Sequence, residues 1–134
     1  ESCTGGGVSY ALTDTPGSSA YIDRAFVTYS NQAKQDLLNV SASTLTQFGA
    51  VSEQTVREMA LGAIKAANAN IAIAISGIAG PGGATEDKPV GLVWFGIQIN
   101  DKQLALKQVF TGDRAQVRLQ AIVFSLKSVI DEIK

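Results

Sequence analysis

Apolar residues recur at intervals of three and four positions in two long segments of the chain, which is the spacing of one face of an α-helix. The first segment covers residues 53 to 68, and the second follows Asp113 to the end of the chain. Between them, Ile71 to Ile75 is a short run rich in β-branched residues, of the kind that is buried on both faces of a sheet. The pattern therefore predicts an α/β protein.

Shorter patterns and capping residues predict the remaining elements. They are a short helix at 8 to 12, a strand at 26 to 29, a helix at 32 to 38 begun by Ser30-Asn31, helices capped by Ser41 and Ser52, and strands at 90 to 100 and 103 to 110. The turn Asn100-Asp101-Lys102 joins the last two strands into an antiparallel hairpin. We expect one domain over residues 1 to 134, a three-layer sandwich whose mixed, mostly parallel sheet carries this hairpin and has helices on both faces.

The charge balance excludes several classes of partner. The chain has 134 residues and a formal net charge of −1, which provides no basic surface for a nucleic acid and no polybasic patch for a membrane. The longest apolar runs are too short to span a bilayer, and no signal peptide is recognisable. A single cysteine, Cys3, cannot form an internal disulfide, which fits a reducing cytoplasm. We therefore expect a cytoplasmic protein.

The sequence contains no histidine. This excludes a Ser-His-Asp triad, a Cys-His pair and any histidine-based metal site. Carboxylates do not cluster at the spacing of metal ligands either, so we expect no catalytic metal and no other cofactor.

Residues 17 to 34 contain the best candidates for chemistry, because Ser18, Ser19, Tyr29 and Lys34 lie on or near one predicted strand. A serine hydroxyl becomes a nucleophile beside a lysine that can lose its proton, and a tyrosine can position that proton. Lys34 falls in the first turn of a predicted helix, where the positive end of the helix dipole favours the neutral amine. The alternatives are a solvated surface lysine and, for one of Ser18 and Ser19, a helix cap.

Two glycine-rich segments, residues 1 to 7 and 76 to 85, are candidates for binding, since glycine lets backbone N–H groups approach a phosphate or carboxylate. The second follows a predicted strand, where ligands bind in open α/β sheets. Each segment could instead only let the chain turn, and Cys3 is expected to be a packing residue. Arg114, at the start of the last helix, could bind an anion or pair with Asp113.

Seven motifs follow one another along the chain, at residues 1 to 6, 16 to 20, 26 to 34, 49 to 53, 76 to 83, 88 to 91 and 112 to 114. In order and wording they resemble the CinA carboxy-terminal domain family over nearly the whole chain. The family is that of bacterial nicotinamide-nucleotide amidases, so the resemblance implies conversion of nicotinamide mononucleotide to nicotinate mononucleotide and ammonia. It also implies a helix and a strand ahead of Glu1 and, in larger members, a separate preceding domain.

The resemblance assigns roles to individual positions. It implies a catalytic set of Ser19, Tyr29 and Lys34. Together with the glycine-rich segments, it implies a set of substrate-binding residues: Ser2, Thr4, Gly5, Gly6, Ser76, Gly77, Gly80 and Arg114. At position 76 the family often has threonine.

The leading hypothesis is an amidohydrolase in which Ser19 attacks the carboxamide, neutral Lys34 accepts the proton and Tyr29 orients it. Backbone N–H groups of one glycine-rich loop would stabilise the oxyanion, and the sequence leaves open which loop does so. The alternative is a non-catalytic module whose loops only hold a nucleotide. In either case we expect a small nucleotide as the ligand and a homo-oligomer built through amphipathic helices.

Overall fold

The computed structural model describes all 134 residues as five α-helices, three β-strands and one short 3-10 helix. None of the helices is long and apolar enough to cross a bilayer. In chain order the elements are α1 (Gly7–Leu12), the 3-10 helix (Ser18–Ala20), α2 (Asn31–Leu38), α3 (Ala42–Phe48), α4 (Glu53–Ala67), β1 (Ile71–Gly77), β2 (Leu92–Ile99), β3 (Lys102–Val109) and α5 (Arg114–Ile133). The predicted helices and the hairpin are confirmed.

Side-chain caps begin four of the helices, as their sequences predict. In each case the side-chain oxygen accepts a hydrogen bond from the backbone N–H three residues further on, at Ser30, Ser41, Ser52 and Asp113. The bonds satisfy N–H groups that lack a partner in the first helical turn. Neither Ser18 nor Ser19 caps a helix, because Gly17 occupies the capping position of the 3-10 helix without a side-chain bond.

The sheet is antiparallel, with β2 between β1 and β3. In the pairing of β1 with β2, Ile71 lies opposite Ile99 and Gly77 opposite Val93. Strands β2 and β3 are also antiparallel. The prediction of a mostly parallel sheet is therefore wrong for these strands. Parallel neighbours require a crossover connection, usually a helix, whereas residues 78 to 91 form a loop without a helix that returns the chain antiparallel.

The segment at residues 26 to 29, predicted as a strand, is extended but is not a strand of the sheet. Its backbone contacts the start of the chain: the Glu1 nitrogen donates to the Phe26 carbonyl at 2.7 Å, and the Thr28 N–H donates to the Glu1 carbonyl at 2.8 Å. The Ser2 N–H donates to the Ile75 carbonyl of β1 at 3.0 Å. Residues 1 and 2 therefore lie between this segment and β1.

Helices cover both faces of the sheet, as predicted. The core on one face joins α1 and α5 to the sheet through residues that include Val8, Ile75, Phe95 and Val117. The core on the other face includes Leu38, Leu45, Val56, Met59 and Ala74. Neighbouring residues of β1, Ala74 and Ile75, thus belong to opposite cores, as the alternation of side chains along a strand requires.

Helix α4 packs against β2 at very short range. A Cβ atom at position 96 would overlap the carbonyl oxygen of Val56. Gly96 therefore sets the distance at which the helix layer lies on the sheet, because any side chain there would push the helix away.

Candidate active site

Lys34 is almost completely buried, with 1% of its surface exposed. It lies in the first turns of α2, and its Nζ donates hydrogen bonds to the Ser2 Oγ at 2.9 Å, the Thr28 carbonyl at 2.8 Å and the Tyr29 carbonyl at 3.3 Å. Burial lowers the pKa of Lys34, and a smaller opposing influence of the Cys3 thiol does not reverse the shift. The alternative of a solvated surface lysine is therefore wrong.

Ser2 reaches Lys34 because the start of the chain is held between β1 and the segment that carries Tyr29. Its N–H bonds to β1 at Ile75, and its hydroxyl lies 3.5 Å from the Tyr29 carbonyl. The segment carrying Tyr29 leads directly into α2, which carries Lys34. The same short stretch of backbone thus positions both partners of the Ser2 to Lys34 hydrogen bond.

Glu1 holds the loop that follows Ser2. Its carboxylate accepts hydrogen bonds from the Thr4 hydroxyl at 2.7 Å and from three backbone N–H groups, those of Gly6, Val8 and Ser9, at 2.9 to 3.1 Å. Burial opposes the charge of Glu1, but these bonds outweigh it and hold the pKa of the carboxyl below its usual value. No sequence pattern indicates this role of Glu1, because the bonds depend on how residues 4 to 9 fold.

Two arginines of α5 reach the same region. Arg114 donates to the Gly80 carbonyl at 2.7 Å and to the Tyr29 hydroxyl at 3.2 Å. Arg118, one turn further on, donates to the Cys3 carbonyl at 3.0 Å. The alternative of an Arg114 pair with Asp113 is not what the structure contains. Arg118 was not predicted, although its spacing of four residues from Arg114 places both on one helix face.

A cleft of about 320 Å³ brings most of the predicted site residues together. Its walls come from the chain start, the turn into α2, the end of β1 with its glycine-rich loop, and the start of α5. The predicted residues that line it are Ser2, Tyr29, Lys34, Ser76, Gly77, Gly80 and Arg114.

Four predicted residues lie elsewhere. Thr4, Gly5 and Gly6 line a neighbouring groove between the chain start and α5, and the Thr4 hydroxyl is already bonded to Glu1. Ser19 is exposed in the 3-10 helix and is not among the residues that line the cleft.

Cys3 also lines the cleft, and it is buried. Burial raises the pKa of its thiol, with weaker opposing influences from nearby positive groups. A thiol that keeps its proton is a poor nucleophile, which agrees with the interpretation of Cys3 as a packing residue.

No group of three or more cysteine, aspartate and glutamate side chains is arranged to hold a metal ion. The functional groups of the cleft are instead an amine, hydroxyls, a guanidinium and backbone N–H groups. These groups can bind an anion, activate a hydroxyl and move a proton.

Fold and site together define a small α/β domain in which a buried lysine touches a serine at the wall of a glycine-rich cleft. The CinA C-terminal domain model matches residues 1–133, and the chain belongs to that family. The resemblance carried by the seven sequence motifs is thereby confirmed.

Individual relatives cover most of the chain. It is 60% identical over 133 residues to the nicotinamide-nucleotide amidohydrolase PncC of Enterobacter agglomerans, covering 98% of this chain and 81% of the relative. It is 52% identical over 130 residues to the protein of the same name from Escherichia coli K12, covering 96% and 79%. The crystal structure of the competence/damage inducible protein CihA from Agrobacterium tumefaciens matches with a TM-score of 0.96 at 45% identity, covering 99% and 82%.

Proposed function

We propose that this chain hydrolyses the carboxamide of nicotinamide mononucleotide to give nicotinate mononucleotide and ammonia. Relatives at 60% and 52% identity carry the name nicotinamide-nucleotide amidohydrolase. The observation within the chain that carries the proposal is the buried Lys34, whose Nζ lies 2.9 Å from the Ser2 Oγ at the wall of a cleft. A lysine base beside a hydroxyl suits nucleophilic attack on an amide carbon.

In the proposed reaction, neutral Lys34 accepts the proton of a serine hydroxyl while the serine oxygen bonds to the carboxamide carbon. The tetrahedral intermediate then breaks its C–N bond, and the Lys34 ammonium supplies the proton with which ammonia departs. Water next attacks the ester, giving one proton through Lys34 back to the serine oxygen and releasing the acid. The burial of Lys34 supports both the formation and the hydrolysis of the ester, because the lowered pKa of Lys34 favours the neutral amine with which each of these steps begins.

Two serines are candidates for the nucleophile. The contact with Lys34 favours Ser2, whereas the family resemblance favours Ser19, and the Ser19 assignment stays a prediction. If Ser2 is the nucleophile, Ser2→Ala should lower kcat by at least about 10³-fold, while Ser19→Ala should stay near the wild-type rate. The reverse result would return the role to Ser19.

Tyr29 and Arg114 complete the proposed site. Because the Tyr29 hydroxyl accepts an N–H of Arg114, its own O–H remains free to orient the proton that Lys34 returns to the leaving nitrogen. The remaining N–H groups of Arg114 and the backbone of the glycine-rich loop are proposed to bind the substrate phosphate. The cleft volume of about 320 Å³ lies within the range of small-molecule sites.

The function is tested by incubating the protein with nicotinamide mononucleotide and measuring ammonia and nicotinate mononucleotide. Lys34→Ala should remove most of the turnover, whereas Lys65→Ala, which removes an exposed lysine of α4, should leave it unchanged. Tight binding of the nucleotide with no deamidation by the wild-type protein would favour the non-catalytic module instead.

We also propose that the domain forms a homo-oligomer. Leu119, Val123, Ile130 and Ile133 of α5 are each more than half exposed and share one helix face, and such apolar surfaces are typical of interfaces. Sedimentation equilibrium should give a mass above that of one chain, reduced by Leu119→Glu with Val123→Glu. A monomeric wild-type protein would contradict the proposal. The cytoplasmic location and the lack of a nucleic-acid partner stay predictions.

A further inference from the structure

The end of β1 presents a backbone N–H on its edge away from β2. Residues that bond to a neighbouring strand alternate along an antiparallel pair. The Ile78 N–H donates to the Leu92 carbonyl of β2 at 2.8 Å, so the N–H of the preceding residue, Gly77, points to the opposite edge. That edge faces the chain start, because the Ile75 carbonyl accepts the Ser2 N–H there.

The Gly77 N–H has no acceptor within the chain on that edge. In regular parallel pairing it would donate to the Ser2 carbonyl, but that carbonyl accepts the Gly5 N–H at 3.0 Å, where the chain turns away. Gly77 also lines the cleft. Its N–H is therefore an unused donor beside Ser2, the residue that touches Lys34.

Ser76 supplies a second unused donor next to the first. It is 1% exposed and lines the same cleft, and no hydrogen bond within the chain involves its hydroxyl. Because Ser76 lines the cleft, its hydroxyl can donate a hydrogen bond to an acceptor atom of a ligand bound there.

We propose that the Ser76 hydroxyl and the Gly77 N–H together form the oxyanion-binding site of this chain. The inference rests on the proposed amidase function and names the groups that stabilise its intermediate. When a serine oxygen bonds to the carboxamide carbon, the carbonyl π pair moves to oxygen and the serine proton moves to Lys34. The two donors bind the oxyanion so formed, an interaction that strengthens in the transition state and therefore raises kcat more than affinity.

Substitutions at Ser76 test the side-chain donor. Ser76→Ala should lower kcat by about 10²-fold to 10³-fold with little change in KM, whereas Ser76→Thr keeps the hydroxyl and should retain most activity. Ser43→Ala, at an exposed position in α3, is the matched control, and urea midpoints establish that each variant is folded. An unchanged kcat in folded Ser76→Ala would overturn the assignment of this hydroxyl.

The Gly77 donor requires a different experiment, because a Cβ there would lie 2.7 Å from the Val93 side chain and 2.9 Å from the Leu92 carbonyl. The probe is the nicotinamide mononucleotide analogue with an aldehyde in place of the carboxamide, which forms a hemiacetal with the nucleophilic serine. In nitrogen-15 spectra the Gly77 amide proton should shift downfield on adduct formation, and no such shift should occur when the nucleophile is replaced by alanine.

The outcomes separate this inference from the function on which it rests. A wild-type protein that releases no ammonia would contradict the proposed function itself. An active protein whose adduct forms without moving the Gly77 amide signal would overturn the Gly77 assignment alone. If the aldehyde forms no adduct, kcat for Ser76→Ala against Ser76→Thr decides whether this end of β1 stabilises the intermediate.

Discussion

Three polar side chains buried around the chain start differ in how their burial is compensated. The Glu1 carboxylate has four donors, and the Lys34 amine has three acceptors. The Thr28 hydroxyl has no partner at all, although its residue is fully buried. A polar group that is buried without a hydrogen bond lowers the stability of the fold, whereas a hydrogen-bonded one has little net effect. The effects of these residues on stability and on function can therefore be measured separately, one residue at a time.

Thr28 and Thr4 form a matched pair for this test. Both are fully buried, but only the Thr4 hydroxyl is bonded, to the Glu1 carboxylate. Thr28→Val should leave the free energy of unfolding unchanged or raise it, because it removes an unpaired hydroxyl at constant shape. Thr4→Val should lower it by about 1 to 3 kcal/mol. Urea unfolding measures both, and equal losses would contradict the assigned difference in pairing.

Lys34 predicts a specific pH dependence. Burial lowers its pKa, so the neutral amine gains population as pH rises through that lowered value, well before an ordinary lysine would deprotonate. The value of kcat/KM should therefore rise with pH over this range and then level off. A pH profile of the wild-type protein checks the rise, and Lys34→Ala should abolish it together with most activity. A kcat/KM that shows no rise at any pH below the ordinary pKa of lysine would contradict a lysine base.

At the scale of elements, close packing of α4 on β2 fixes the frame around the cleft. The same sheet carries β1, whose last two residues line the cleft. Gly96 permits the close contact because hydrogen is the only substituent that fits beside the Val56 carbonyl. Interiors packed to this density do not absorb even one added methyl group without shifting.

Gly96→Ala should therefore lower the free energy of unfolding by about 1 to 3 kcal/mol, since α4 or β2 must move to admit the methyl group. Gly82→Ala is the control, because a Cβ at that position meets nothing within 4 Å. Thermal or urea unfolding of the two variants checks the contrast. A Gly96→Ala protein as stable as Gly82→Ala would show that the helix layer can shift freely.

At the scale of the whole molecule, α5 closes the site by joining its distant parts. Arg118 bonds to the chain start at Cys3. Arg114 bonds to Gly80, in the loop after β1, and to Tyr29, 85 positions earlier in the chain. The site is thus complete only when the last helix has packed against the sheet.

Arg114 and Lys34 should fail in different ways when replaced. If Arg114 binds the substrate phosphate, Arg114→Ala should raise KM for nicotinamide mononucleotide and have little effect with nicotinamide riboside, which lacks the phosphate. Lys34→Ala should lower kcat for both substrates alike, because proton transfer is needed in each. Steady-state kinetics on the two substrates measure the difference. Equal losses for Arg114→Ala on both would return this arginine to the structural role of tying Gly80 to Tyr29.

The sequence alone determined the local elements and the family. Some features depend only on residues within a few positions of one another, so a short segment of sequence predicts them. They are the periodicity of α4 and α5, the caps at Ser30 and Ser52, and the hairpin. The order of the motifs indicated the family and named seven of the residues that line the cleft. These signals survive without knowledge of any long-range contact.

Only the tertiary structure decided the rest. The direction of β1 relative to β2 depends on how the loop between them, which contains no helix, returns the chain. A buried apolar strand has the same sequence pattern whether its neighbour runs parallel or antiparallel. Other features depend on residues that are not neighbours along the chain. They are the contact of Lys34 with Ser2, the exposure of Ser19, the bonds made by Glu1 and the unused Gly77 N–H. Such contacts arise from packing of distant segments, and the local pattern of residue types does not encode them.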